Sequence, residues 1–255
     1  MKRWILVVAA LLAGCAGQPA GESGVANTQA DSESRQRARA FTDLASAYLA
    51  RAQYKVALDE LRKAIIADNQ FGPAYNIYGL IYMELAEDKL AEENFRRAIG
   101  LDRSDSVTRN NYGWFLCTRG RYDDGLEQFS IALRNPLYAY PEQAMANAGQ
   151  CAEMKGDLPL AEANLLKSLK LQPDNANTIL KLAGLHFRQG RIVEAQRLLA
   201  RHAELAPPTL ESLWLGVRIE RKLGDRAQEA AYGLQLRKRF PDSNEARLLL
   251  GGQFE

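Results

Sequence analysis

Only two histidines, His186 and His202, occur among the 255 residues of the sequence. They are predicted on different helices and without neighbouring metal ligands, which argues against a zinc site or a histidine acid–base centre. A nucleotide-binding glycine loop is also missing, because the Gly-Gly-Gln stretch at 251–253 follows no predicted strand. We therefore expect no enzymatic activity, no metal or other cofactor and no small-molecule substrate.

The sequence also lacks an excess of charge and a long apolar run. Its formal net charge is +2, and the two excess positive charges are Lys2 and Arg3, in a segment that we expect to be removed. A nucleic-acid-binding domain is usually strongly basic, so no nucleic-acid partner is expected. The apolar run at 4–12 is shorter than the roughly 20 residues that a membrane-spanning helix needs.

The first fifteen residues have the order of a secretion signal, in which a basic start and an apolar run are followed by small residues. The tetrad Leu-Ala-Gly-Cys at 12–15 resembles the lipobox of bacterial lipoproteins. This resemblance implies a signal peptide at 1–14 and a diacylglyceryl lipid on Cys15, the first mature residue. In lipoproteins of this kind an aspartate after the cysteine commonly retains the protein at the inner membrane. Residue 16 is alanine, so the resemblance points to the periplasmic face of the outer membrane. The alternative is an ordinary signal peptide with a chance cysteine.

The segment that follows is poor in large apolar side chains. Residues 16–37 are rich in Gly, Ser, Ala and Gln, and such a composition buries too little apolar surface to offset the entropy of ordering. We therefore predict a lipidated flexible tether over residues 15–37.

A period of 34 residues, the length of a tetratricopeptide repeat, organises the rest of the chain. Small residues recur at repeat positions 8 and 20, where two antiparallel helices approach closely, and large residues recur at helical spacing around them. Glycine recurs at position 15, where a left-handed residue can end the first helix. The sequence predicts an all-α, right-handed superhelical solenoid over 38–255. Its six units are 38–71, 72–105, 106–139, 142–175, 176–209 and 210–243, and the sixth is irregular.

The first helix of each repeat is expected to line a concave surface, and in the central repeats its residues suit peptide binding. Asparagine offers both donors and acceptors, and tryptophan is common at binding hot spots. Structural alternatives are that the asparagines only solvate the surface or bond to neighbouring turns. The basic residues of a carboxylate-binding clamp are missing from these repeats. The predicted groove residues are Asn76, Ile77, Leu80, Asn110, Asn111, Trp114, Asn147 and Gln150.

The first repeat offers a second candidate surface, because no preceding capping helix is evident. Leu44, Leu49, Leu58 and Leu61 would form it, and an exposed apolar groove usually marks an interaction site. The alternative is that residues 35–40 cover this surface.

Two cysteines, Cys117 and Cys151, remain once Cys15 is acylated. An even pair in an oxidising periplasm is a disulfide candidate. They lie on the first helices of neighbouring repeats, where the bond can form only if both side chains lean inward. The alternative is two buried thiols.

The stretch 109–157 is similar to the signature region of the PilF/PilW lipoproteins of type IV pilus biogenesis. Residues 110–117, 136–141 and 147–151 carry the similarity. The resemblance implies a pilotin, a protein that helps subunits of the secretin PilQ to reach the outer membrane and to multimerise. The alternative function is a general periplasmic scaffold lipoprotein that serves β-barrel assembly or peptidoglycan enzymes.

Overall fold

The computed structural model describes residues 22–254, with side chains from residue 32 onward. The predicted signal peptide at 1–14 and Cys15 lie outside the described residues. Between residues 22 and 254 the chain forms thirteen α-helices and no strand. The helices are α1 Glu22–Leu49, α2 Tyr54–Ala67, α3 Gly72–Glu84, α4 Asp88–Leu101, α5 Ser106–Thr118, α6 Tyr122–Leu133, α7 Pro141–Lys155, α8 Leu158–Leu171, α9 Ala176–Arg188, α10 Ile192–Leu205, α11 Leu210–Leu223, α12 Arg226–Arg239 and α13 Asn244–Leu250.

The helices pack as consecutive pairs that stack in chain order. Each odd-numbered helix from α1 to α11 packs mainly against the helix that follows it, and each pair contacts the next pair. Helices α3, α5, α9 and α11 begin at the first residues of the predicted units, and α7 begins one residue before its unit. The predicted all-α tetratricopeptide-repeat solenoid is therefore confirmed.

Steric fit between small and large residues explains the 34-residue period. A Cβ atom added to Gly79 would lie 2.7 Å from the ring of Phe95, which is fully buried. A Cβ atom added to Gly113 would lie 3.0 Å from the carbonyl oxygen of Gly125 on the partner helix. Even one methyl group at these positions would separate the two helices of a repeat, because protein interiors are close-packed.

The turn between the two helices of each repeat uses a left-handed residue at position 15. Gly120, Gly156, Gly190 and Gly224 all have positive φ angles, as the glycine pattern predicts. The first two repeats have alanine at this position, and these alanines, Ala52 and Ala86, take φ angles of 55° and 58°. Since a Cβ atom makes this conformation unfavourable by about 1–2 kcal/mol, both alanines are strained relative to glycine.

The N-terminal boundary differs from the prediction. Helix α1 begins at Glu22, inside the predicted tether, and passes through the predicted start of the first repeat at residue 38 without a break. Residues 30–40 contain Ala, Glu, Gln and Arg and no glycine or proline, so they favour a helix despite their low hydrophobicity. The guanidinium of Arg35 lies 3.9 Å from the Asp68 carboxylate, and Ala38 is fully buried. Residues from Arg35 onward therefore belong to the packed solenoid.

The irregular phase of the sixth repeat is a one-residue offset of its small residue within a unit of unchanged length. Gly216, which faces the ring of Tyr232, lies eight residues before the left-handed Gly224, whereas Gly113 lies seven residues before the left-handed Gly120. The short helix α13 then packs against α12 and covers the end of the solenoid.

Candidate partner-binding groove

Helices α3, α5 and α7, which carry the predicted groove, lie side by side. Contacts join α3 to α5 and α5 to α7 directly, in addition to the contacts within each repeat. These three helices carry all eight predicted groove residues. Six of the eight are partly exposed: Ile77, Leu80, Asn111, Trp114, Asn147 and Gln150.

The other two predicted groove residues, Asn76 and Asn110, are buried beneath this surface. Their exposed fractions are 5% and 3%, and each side-chain oxygen accepts a hydrogen bond from an asparagine of the next repeat. The Asn111 amide donates to Asn76 over 3.0 Å, and the Asn147 amide donates to Asn110 over 3.1 Å. Buried polar groups need such partners, so Asn76 and Asn110 join adjacent repeats and offer little surface to a ligand.

The two donor asparagines, Asn111 and Asn147, keep bonding capacity toward the groove. An amide side chain has two N–H donors and one oxygen acceptor, and only one N–H of each is used in these bonds. Both side chains are partly exposed. They can therefore still donate to and accept from an extended peptide backbone.

Trp114 lies at the centre of the groove, above a disulfide. The Cys117 and Cys151 sulfur atoms are bonded, with their α-carbons 5.5 Å apart, and both residues are fully buried. The bond joins α5 to α7, and Trp114 packs against the apolar cluster formed around it. The disulfide thus links the two helices that carry Asn110, Asn111 and Asn147.

The predicted apolar surface of the first repeat is only partly present. Leu44 is 42% exposed, and Leu49 and Leu58 are partly exposed, but Leu61 is completely buried. Leu61 faces inward because it occupies repeat position 24, the same interior position as Phe95 of the second repeat. Its assignment to the surface is therefore replaced by a role in the core.

Hydrogen bonds and ion pairs of charged side chains join the second repeat to the third. Burial alone would raise the pKa of Glu92, but hydrogen bonds from Arg121 and Tyr112 outweigh it, and the pKa falls below its ordinary value of 4.5. Arg119 donates to Asp88 over 2.7 Å across the same junction. These contacts join α4 to α5 and to the turn between α5 and α6, and they involve none of the eight predicted groove residues.

Lys181 occupies a repeat position that the predicted groove should have included. It occupies position 6 of the fifth repeat, as Asn111 and Asn147 do in the third and fourth. An open pocket of about 490 Å³ joins Lys181 to Asn147, with Tyr140 at its edge. Burial lowers the pKa of the Lys181 ammonium, against the opposing effect of Glu211. The signal was missed because only the second, third and fourth repeats were considered.

Comparison with known proteins identifies the family. Sequence models of the tetratricopeptide repeat match residues 72–105, 117–176 and 152–214. The type IV pilus assembly protein PilF of Pseudomonas aeruginosa is 29% identical over 242 residues, which are 94% of each chain. The crystal structure of PilW, a widely conserved type IV pilus biogenesis factor, superposes with a TM-score of 0.76 at 30% identity and covers 84% of this chain and 98% of its own.

The chain belongs to the PilF/PilW family. It is a tetratricopeptide-repeat protein of type IV pilus biogenesis. A second solved structure, that of P. aeruginosa PilF, superposes with a TM-score of 0.74 at 28% identity, and the match covers 88% of this chain and 99% of that one. The similarity extends over the whole solenoid and is not confined to the 109–157 stretch.

Both histidines of this PilF/PilW family member are buried, and His202 contacts the carbonyl oxygen of Ala176 over 3.0 Å. Burial lowers the pKa of His186, with a further contribution from Arg191, so its neutral form is favoured. Among the side chains of residues 32–254 no cluster of three metal-binding groups occurs. No helix between residues 22 and 254 is long and apolar enough to cross a membrane.

Proposed function

We propose that this PilF/PilW family member is an outer-membrane lipoprotein, acylated at Cys15, that binds subunits of the secretin PilQ through the groove of α3, α5 and α7. By doing so it promotes their localisation to the outer membrane and their multimerisation. The observation that carries the proposal is membership of a pilus-biogenesis family over nearly the whole chain, together with one tryptophan and two partly exposed asparagines that keep free donor and acceptor capacity.

The groove suits an extended secretin segment for physical reasons. Asn111 and Asn147 can bond to the backbone of a peptide regardless of its sequence, because every residue except proline carries both a donor and an acceptor. Trp114 adds a large and rigid apolar contact between them, the type of residue that dominates many interfaces. The groove therefore combines hydrogen bonds that do not depend on the peptide sequence with one apolar contact at Trp114.

A lipid anchor at Cys15 would make this modest binding surface effective. Each buried methylene contributes about 0.8 kcal/mol and one acyl chain binds only marginally, so two or three chains give stable attachment. Confinement to one membrane raises the effective concentration of captured secretin subunits and favours ring assembly.

The test is the amount of detergent-resistant PilQ multimer in purified outer membranes from cells with and without this protein. Loss of the multimer, or its retention in the inner membrane while monomer is still made, supports the proposal. Unchanged amount and location of the multimer would refute it. Cys15→Ser tests the anchor separately, because it should move the protein from the outer-membrane fraction to the soluble periplasmic fraction.

Two substitutions test the groove itself. Asn111→Ala and Trp114→Ala should each weaken binding to a purified PilQ periplasmic fragment by about tenfold, which corresponds to roughly 1.4 kcal/mol. Asn164→Ala is the matched control, since Asn164 lies on α8 and bonds to the Leu160 carbonyl of its own helix. Equal affinity of all three variants and the wild type would show that Asn111 and Trp114 are not part of the binding site.

A further inference from the structure

The last residues of the described chain lie on the face of α11. After α13, Gly252 takes a left-handed conformation with φ of 69°, and the Gln253 amide donates to the Leu248 carbonyl over 2.9 Å. This turn directs Phe254 back toward the solenoid. The Gly-Gly-Gln stretch, which matches no nucleotide-binding pattern, is therefore the hinge of a folded-back tail.

The tail contacts three side chains of the α11 region, Trp214, Arg218 and Arg221. Together with Phe187 of α9, which packs against Arg218, they form what we call the α11 subsite. The ring of Phe254 stacks on Trp214 with centroids 6.1 Å apart, and the guanidinium of Arg221 lies 3.8 Å from its centre. Arg218 donates from Nε to the Phe254 carbonyl over 3.0 Å. The tail is thus held by one aromatic ring and one backbone hydrogen bond, as a bound peptide would be.

Within residues 32–254, the positive charge at the α11 subsite is incompletely balanced. Arg221 pairs with Glu229 over 2.8 Å, but among residues 32–254 no carboxylate forms an ion pair with Arg218 or with the adjacent Lys222. The guanidinium of Arg218 packs instead over the ring of Phe187, 4.6 Å from its centre. Burial, with a smaller effect of Arg188, lowers the pKa of Arg218. An added anion would therefore be stabilised here.

An open cavity continues from the tail along the same face. It is lined by Phe187, Arg218, Lys222, Leu248 and Phe254, and its volume is about 760 Å³. A segment longer than the three-residue tail can therefore lie beside α11. Trp214 lies two residues before the small residue Gly216, as Asn111 lies two residues before Gly113, so it occupies a first-helix position expected to face the concave surface.

We propose that the α11 subsite binds an extended partner segment in which an aromatic residue is followed by an acidic one, and that residues 252–254 occupy the subsite until such a segment displaces them. The aromatic residue takes the place of Phe254, and the acidic residue pairs with Arg218 or Lys222. The tail competes with the partner for the subsite. The apparent affinity for the partner is therefore the affinity of the free subsite multiplied by the fraction of molecules in which the subsite is free. This inference is independent of secretin binding in the α3–α5–α7 groove.

The test uses a fluorescein-labelled, amidated peptide, Gly-Gly-Gln-Phe-Glu-Gly, and measures its fluorescence anisotropy with the full chain. The Phe254→Ala protein should bind this peptide at least about fivefold more tightly than the wild type, because the competitor is removed. Ile66→Ala, which removes an exposed apolar side chain on α2 in the first repeat, should keep the wild-type affinity. A peptide with alanine in place of phenylalanine should bind at least about tenfold more weakly.

A second substitution tests whether the peptide binds at the α11 subsite. Adding Arg218→Gln to the Phe254→Ala protein should abolish the gain in affinity, while circular dichroism shows unchanged helix content. Three results would overturn the proposal: no binding of the peptide to the Phe254→Ala protein, equal binding of the alanine peptide, or equal affinity of the wild type and Phe254→Ala. Since no secretin is present, failure here leaves the pilotin proposal intact, and failure of the pilotin proposal leaves this one intact.

Discussion

Reduction of the Cys117–Cys151 disulfide should destabilise the centre of the solenoid markedly. The bond spans 34 residues of sequence and encloses the whole of α6. Loop-closure entropy for a ring of this size gives about 3.8 kcal/mol of stabilisation, through restriction of the unfolded chain. Both cysteines are fully buried, so their separation would also loosen the packing beneath Trp114.

The measurement is urea unfolding of residues 16–255, followed by tryptophan fluorescence and circular dichroism, with and without dithiothreitol. Reduction should lower the free energy of unfolding of the central repeats by about 3–4 kcal/mol. The Cys117→Ala/Cys151→Ala protein is the control, because dithiothreitol should not change its unfolding curve. A decrease in the free energy of unfolding of less than about 1 kcal/mol on reduction of the wild type would refute the reasoning. It would mean that the unfolded chain is already compact, so that the disulfide restricts it little.

Further substitutions test the fold residue by residue. Leu61→Ala should lower the free energy of unfolding by about 2–5 kcal/mol, as expected for a fully buried leucine, whereas Leu44→Ala should change it by less than about 1 kcal/mol in the same thermal or urea unfolding assay. Ala86→Gly should raise the melting temperature because it relieves the left-handed strain, and Gly120→Ala should lower it by creating the same strain. Glu92→Gln should destabilise the protein at pH 7. Because the folded-state pKa of Glu92 is lowered, this stabilisation is present above about pH 4.5 and is lost as the pH falls through the folded-state pKa, so wild-type and variant unfolding curves should converge once the pH is below that pKa.

Repeat register was predictable from the sequence because it follows from steric limits that act within each unit. Small residues such as Gly79 and Gly113 mark where two helices touch, and left-handed glycines such as Gly120 mark where the first helix ends. The same register assigns Leu61 to interior position 24, so its burial could have been predicted by consistent use of the rule. The start of α1 was missed because composition alone was taken as evidence of flexibility, although residues 30–40 have good helix propensity.

The groove was predictable in outline but not in its hydrogen bonding. Repeat position tells which face of a helix a side chain occupies, and it placed Asn76 and Asn111 on the concave side. It cannot tell which of two facing amides lies beneath the other, since that depends on the offset between adjacent repeats. The α11 subsite was missed because groove positions were considered only in the second, third and fourth repeats, and Trp214 and Arg218 belong to the sixth.

The contacts beneath the groove have a consequence for binding strength. The disulfide and the bond from Asn147 to Asn110 both join α5 to α7, and the bond from Asn111 to Asn76 joins α5 to α3. Three first helices are therefore fixed relative to one another before any partner arrives. A binding surface that is already ordered loses little conformational entropy on association, so a larger part of the interaction energy appears as affinity. A groove with only a few polar contacts and one tryptophan can then hold an extended segment firmly, whereas the tail on α11 must first be displaced.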